Sequence, residues 1–133
     1  MELEFRETRL PELWRRTHAD TPLPSEVLRM RGWECLHDAR VVGHCLADVG
    51  TGEILGLSVD HSHRRQGIAR RLLALLVARL QAEGVPRIWL AASRDASLPA
   101  YQFYRTLGWR PTGERLDCGD EILELPGGAP AQQ

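Results

Sequence analysis

Leu57-Ser58-Val59-Asp60-His61-Ser62-His63-Arg64-Arg65-Gln66-Gly67-Ile68-Ala69-Arg70 is the stretch with the most chemistry in its spacing. An apolar strand ends, a short polar loop follows, and an apolar periodicity of helical spacing begins just after Gly67. The first N–H groups of such a helix have no partner inside it, and the helix dipole makes that end positive. Gly67 and the small Ala69 let a ligand approach the backbone, and Arg64 and Arg65 add formal charge. Together they describe a cradle for a pyrophosphate. The plainer account is a helix that starts after glycine, with arginines on a solvated surface. Neither a G-x-G-x-x-G fingerprint nor a nucleophile elbow is present, since Gly56-Leu57-Ser58-Val59-Asp60 lacks the second glycine. His61 and His63 stand two apart on the loop without a matched set of ligating residues, which is a weak zinc signal, so no metal is expected.

The elements that must position this stretch follow from periodicity and punctuation. Glu2 to Arg6 alternates as a first strand. A helix opens at Leu10-Pro11 and breaks before Pro22 and Pro24. Ser25 is placed to cap a second helix, Glu26 to Arg31, ended by Gly32. Trp33 to His37 and Val41 to Val49 form a hairpin about Asp38-Ala39-Arg40. Glu53 to Val59 reads as a buried central strand, and Gly56 inside it marks a bulge or the close approach of another backbone. Ile68, Leu72, Leu75, Leu76 and Leu80 then recur at helical spacing up to Gly84 and Pro86. Arg87 to Ala92 is a strand. Ser97 is placed to cap a helix with Pro99 in its first turn and Leu98, Tyr101, Tyr104 and Leu107 on one side. Trp109 to Leu116 and Glu121 to Leu125 close the chain. Strand, long helix, strand predicts a parallel pair with a right-handed crossover. The hairpins at either end predict antiparallel flanks. The fold class is a mixed α/β domain.

Composition bounds the rest. The chain has 133 residues, 43% hydrophobic and 26% charged, which fits one globular domain. Residues 1–125 carry the elements, and the Pro/Gly/Ala-rich residues 126–133 are predicted to be a disordered tail. All 17 basic residues are arginine. Without lysine there is no Walker-type phosphate loop and no lysine Schiff base. A net charge of −1 does not favour nucleic acid or an anionic membrane as partner. No apolar run is long enough to span a bilayer, and the start Met1-Glu2-Leu3-Glu4 has no signal-peptide pattern. A cytoplasmic location with three reduced cysteines, Cys35, Cys45 and Cys118, is expected.

Two segments carry a family resemblance. Arg64-Arg65-Gln66-Gly67-Ile68-Ala69 matches the Q/R-x-x-G-x-G/A signature of the GNAT superfamily of N-acetyltransferases. Ala100-Tyr101-Gln102-Phe103-Tyr104-Arg105-Thr106-Leu107-Gly108-Trp109 resembles that family's A-x-x-F-Y-x-x-L-G-F motif. Both occur in the right order with the right elements between them, over roughly residues 33 to 125. The resemblance implies a GNAT-like fold: a central mixed sheet of six to seven strands with about four helices. It implies acetyl-CoA as cofactor, held by the backbone from Arg64 through Arg65, Gln66, Gly67, Ile68 and Ala69 to Arg70. Leu57 and Val59 would pair with its pantetheine arm in the gap where their strand splays from Arg87–Ala92. Ser97 stands where many members have an asparagine that contacts pantetheine, and it serves as a minor cofactor contact or only as a helix cap.

The implied reaction is acetyl transfer to a primary amine of a small molecule or peptide, by direct attack in a ternary complex. Tyr104 matches the motif tyrosine, and a phenol can protonate a departing thiolate; packing in the helix's apolar face is the alternative reading. A backbone N–H near Val59 is the expected oxyanion donor. Glu53 resembles the strand glutamate that some members use as a base. His44, His61, His63 and a water chain are further candidates. The acceptor site is expected from Leu10–Gly32 and the loop near Asp117–Asp120. The resemblance also allows a homodimer, and a non-catalytic acyl-CoA-binding regulatory module is the competing reading.

Overall fold

A computed structural model describes residues 2–126, so the predicted tail from Gly127 onward lies outside the described residues. The order is β1 (Leu3–Thr8), α1 (Leu10–Thr17), α2 (Ser25–Leu28), β2 (Met30–His37), β3 (Arg40–Asp48), β4 (Ile54–Val59), a 3-10 turn (His61–His63), α3 (Ile68–Ala82), β5 (Trp89–Ala92), α4 (Pro99–Thr106), β6 (Arg110–Arg115) and β7 (Glu121–Glu124). None of the described helices is long and apolar enough to cross a membrane.

The strands do not make one continuous mixed sheet. They form two antiparallel sheets, β1-β2-β3-β4 and β5-β7-β6. A single parallel bridge, Glu53 to Trp89, joins them. The predicted parallel pair therefore exists at one point and then opens. Gly52 is the pin of that junction. Its carbonyl accepts the Trp89 N–H at 3.1 Å, its φ is +79°, and any Cβ there would run into the Arg87 carbonyl oxygen. Only glycine satisfies both demands.

Because β4 leaves β5 immediately, it is not a buried central strand. Leu55 and Ser58 are exposed, and among the described residues no strand lies beside the edge of β4 that faces β5. The bulge expected near Gly56 is present as a register shift: Leu46 pairs with Gly56 and Ala47 with Ile54. No other backbone crowds Gly56, whose Cβ position is open space.

α3 covers the face of the first sheet that carries Cys35, Gly43 and Cys45. Ile68, Leu72, Leu73, Leu76 and Leu80 are its buried residues, and they anchor one core with Val42, Ile88, Trp109 and Leu123. Burial pushes the Cys45 thiol up to about 11, which suits a packing role rather than a nucleophile. Cys35, Cys45 and Cys118 are all free. At the far end of α3, Arg31 of β2 holds Glu83 through Nε at 2.7 Å and Nη2 at 3.0 Å, and Arg79 adds a third bond at 2.7 Å.

Two predicted boundaries move for the same reason. α2 ends at Leu28 with Pro24 rather than Ser25 at its N-cap position. Residues 30–32, assigned by pattern to that helix and its stop, pair instead with Asp48, Ala47 and Leu46 of β3. Strand pairing outweighs the local preference, since each ladder bond satisfies a backbone group that is turning inward.

Candidate active site

The opening between β4 and β5 leads into a cavity of about 810 Å³. One wall is β4 itself, through Leu57, Ser58 and Val59. The floor is the β4–α3 connection, through His61, His63, Arg64, Arg65 and Gly67, together with Ile68, Ala69 and Arg70 at the start of α3. The opposite wall is α4, through Pro99, Ala100, Phe103 and Tyr104. The two motifs, more than thirty residues apart in sequence, thus face each other across one space.

The floor is shaped for an anion. Arg65 and Gly67 both have left-handed backbones, with φ of +65° and +79°. Two such residues reverse the chain and aim the opening N–H groups of α3 outward. Space around the Gly67 Cβ position is open, so a ligand can sit against the backbone. Three guanidinium-bearing residues, Arg64, Arg65 and Arg70, share the lining. The connection is tied down from below: the Asp60 N–H donates to Val42 O at 2.8 Å, and Arg40 Nη1 lies 3.1 Å from Asp60 Oδ2.

Of the residues singled out from sequence, Leu57, Val59, Arg64, Arg65, Gly67, Ile68, Ala69, Arg70 and Tyr104 line the cavity. Gln66 is exposed and is not among the lining residues. Ser97 is neither lining nor cap. The N-cap position of α4 is Leu98, and the Ser97 hydroxyl donates to Asp95 Oδ1 at 2.6 Å, which folds the loop onto itself. Glu53 also lies outside the lining. It sits at the closed end of the splay, where its carbonyl accepts the Asp48 N–H at 3.0 Å. Val59 lies six positions further along the chain, about 20 Å at the usual rise. Burial, and after it the neighbouring Asp48 carboxylate, raise its carboxyl above the ordinary range.

Tyr104 is half in the core and half in the cavity. Its ring packs edge-on against Phe103 and Trp109, with centroids 5.2 and 6.3 Å away. Burial raises the phenol above its ordinary value, so the group keeps its proton at neutral pH and has one to donate. Tyr101 is turned elsewhere, under the Arg105 guanidinium at 3.7 Å.

Sequence reasoning missed one member of the floor as a structural group. His63 is buried, with 8% exposure. Its Nε2 is 2.8 Å from His37 Nδ1 and its Nδ1 is 2.9 Å from Ser62 Oγ. No local signal pairs two histidines 26 residues apart; the hairpin brings them together.

Against families of known proteins, residues 2–109 match the model described as the acetyltransferase (GNAT) family. The chain belongs to the GNAT acetyltransferase family. No curated protein matches the chain significantly. Among solved structures, the PaiA N-acetyltransferase of Thermoplasma acidophilum, in complex with coenzyme A, is similar. It is 18% identical with a TM-score of 0.70, over 93% of this chain and 98% of that one. The ribosomal-protein-S18-alanine N-acetyltransferase of Escherichia coli is 20% identical with a TM-score of 0.65, over 99% and 98%. A GNAT family acetyltransferase of Elizabethkingia anophelis, with acetyl-CoA bound, is 13% identical with a TM-score of 0.64, over 92% and 97%. At these identities the likeness is one of fold. Family membership agrees with acetyl-CoA as the cosubstrate of this GNAT chain, and the open glycine cradle fits such a group.

Proposed function

We propose that this GNAT chain is an N-acetyltransferase that moves the acetyl group of acetyl-CoA to a primary amine of a small molecule or peptide, by direct attack in a ternary complex. The observation that carries the reading is the juxtaposition across one cavity of an anion cradle at Gly67 and a protonated phenol at Tyr104. Acetyl-CoA supplies an activated thioester. The helix start at Ile68–Arg70, with Arg64 and Arg65, holds the diphosphate. The unpaired edge of β4 at Leu57 and Val59 takes the pantetheine as an added strand, and an edge N–H near Val59 donates to the developing oxyanion.

In the transfer a nitrogen–carbon bond forms and the carbon–sulfur bond breaks. Tyr104 gives its proton, or a hydrogen bond, to the departing sulfur. The proton lost by the amine goes to water on the side of β4 where Ser58 is exposed. Glu53, outside the cavity, is assigned no contact with the acceptor.

The test is CoA release from acetyl-CoA in the presence of a panel of amines, alongside direct measurement of acetyl-CoA binding. Amine-dependent release that falls in Tyr104→Phe while binding persists supports the reading. Binding without release to any amine favours a non-catalytic acyl-CoA-binding module.

A further inference from the structure

We propose that the hydrogen bond between His37 and His63 is a strap that presets the anion cradle, so that His37, outside the cavity, is a positioning residue for diphosphate binding; this rests on the cradle reading above. His63 Nε2 lies 2.8 Å from His37 Nδ1, and Ser62 Oγ takes the other ring nitrogen of His63 at 2.9 Å. Both nitrogens are thus committed to protein partners. His63 serves the floor of the cavity as a fixed point, not as a ligand contact. His37 is not among the lining residues, so any effect it has on a bound diphosphate passes through His63.

The backbone shows what needs fixing. Among the described residues, the non-glycine residues with left-handed backbones are Asp38, Ala39 and Arg65, at φ of +52°, +67° and +65°. Asp38 and Ala39 turn the β2–β3 hairpin, directly after His37. Arg65 stands two residues after His63, in the turn into α3. The His37–His63 bond joins these two turns. A residue with a Cβ keeps such a backbone only where its surroundings over-determine it. The hairpin turn is determined by its ladder, since His37 pairs with Arg40 and Leu36 with Val41. The turn at Arg65 has no ladder of its own. Arg64, Arg65 and Arg70 also share the lining there, and their like charges push the turn open. The hairpin is therefore the rigid partner, and the β4–α3 connection is what it holds.

Two other links join the same segments. The Asp60 N–H donates to Val42 O at 2.8 Å, and Arg40 Nη1 lies 3.1 Å from Asp60 Oδ2. Both act before the 3-10 turn, and the Arg40–Asp60 pair is exposed, where an ion pair contributes little. The histidine bond acts after that turn, beside Arg64 and Arg65. His63 is buried and His37 largely so, and a hydrogen bond sheltered from water is the stronger constraint. A cradle held in shape before the diphosphate arrives avoids the cost of ordering it on binding.

The experiment is calorimetric titration of the full chain with dephospho-CoA, which carries the diphosphate. His37→Leu removes the ring nitrogen that His63 needs. Its dephospho-CoA Kd is expected to rise about tenfold, the effect of a cradle formed about a tenth of the time. His37→Asn puts an amide where Nδ1 stood and should bind like the wild type. The double variant His37→Leu, His63→Leu should lose no more than His63→Leu alone, because the two side chains act as one bond. A scalar coupling through the hydrogen bond between the two ring nitrogens needs no variant, and it should be present in the wild type before dephospho-CoA is added. Wild-type affinity in His37→Leu, an equal loss in His37→Asn, additive losses in the double variant, or no coupling in the free protein overturns the inference. Gly67→Glu separates the two levels. If it abolishes binding while His37→Leu binds like the wild type, only the strap is lost. If dephospho-CoA binds Gly67→Glu as tightly as the wild type, or does not bind the wild type, the cradle falls and this inference with it.

Discussion

Two side chains expected to share the chemistry behave oppositely at the residue scale. Tyr104 sits in the cavity wall with its phenol held protonated by burial. Tyr104→Phe removes the proton donor and leaves the ring packing against Phe103 and Trp109. Turnover should fall about 100-fold, the lower end of what a positioned acid supplies, with acetyl-CoA affinity unchanged; steady-state kinetics beside equilibrium binding checks this. Glu53 instead sits at the junction of the sheets with a raised carboxyl. A carboxyl whose folded value is raised costs stability when ionised, above that value, and costs nothing once both states are protonated. Glu53→Gln should therefore raise the melting temperature at about pH 7 and leave it unchanged near about pH 3, below the unfolded value of about 4.3. Acetyl transfer should change less than about threefold, because transition-state contacts, not distant ones, set the rate.

The connection between β4 and α3 is the unit that matters at the element scale. It is fastened below by Asp60 and His63, and it turns over through two left-handed residues, Arg65 and Gly67. Gly67→Ala meets no neighbour, since the Cβ position is open; its cost is the backbone conformation alone, about 1–2 kcal/mol. The same methyl would occupy open space beside the cavity that Gly67 lines, so acetyl-CoA affinity is expected to fall at least about tenfold, about 1.4 kcal/mol. Thermal unfolding and calorimetric binding separate the two effects. The helical stripe of α3 was legible in sequence because its apolar spacing is strong and the buried residues follow it; α4 was legible from its A-x-x-F-Y segment, although none of its residues is fully buried. The caps were not. Ser25 and Ser97 are good capping types, yet neighbouring prolines and Asp95 decide where each chain turns.

Two sheets share one core, and the long helix is clamped at its end to the first of them. Arg31, Arg79 and Glu83 tie β2 to the end of α3. The Arg31 and Arg79 hydrogen bonds hold the Glu83 carboxyl below its ordinary range. A depressed carboxyl contributes stability above its unfolded value, about 4.3, and loses it as the pH falls through the folded value. Glu83→Gln should cost about 1–2 kcal/mol at neutral pH, as for hydrogen bonds to charged groups. It should also flatten the acid side of the stability profile, read from unfolding midpoints down to about pH 3. Ligand binding acts on the same scale. Acetyl-CoA at 100 times its dissociation constant should stabilise the fold by about 2.7 kcal/mol, several degrees for a domain of this size.

The amino-acid order by itself determined what depends on near neighbours: which segments are strands and helices, the glycine that opens α3, the absence of lysine chemistry, and the two motifs that name the family. Each rests on periodicity or on a residue's own conformational range, which act within a few positions along the chain. What only the tertiary structure decided depends on pairing between distant segments. The splay at Gly52 turned a presumed buried strand into an open edge and moved Glu53 to the closed end. The β2–β3 hairpin set His37 2.8 Å from His63. A histidine on a polar loop carries no local mark of burial; it takes the hairpin, the 3-10 turn and the sheet together to place it in the cavity wall, because backbone ladders fix positions that side-chain preferences leave free.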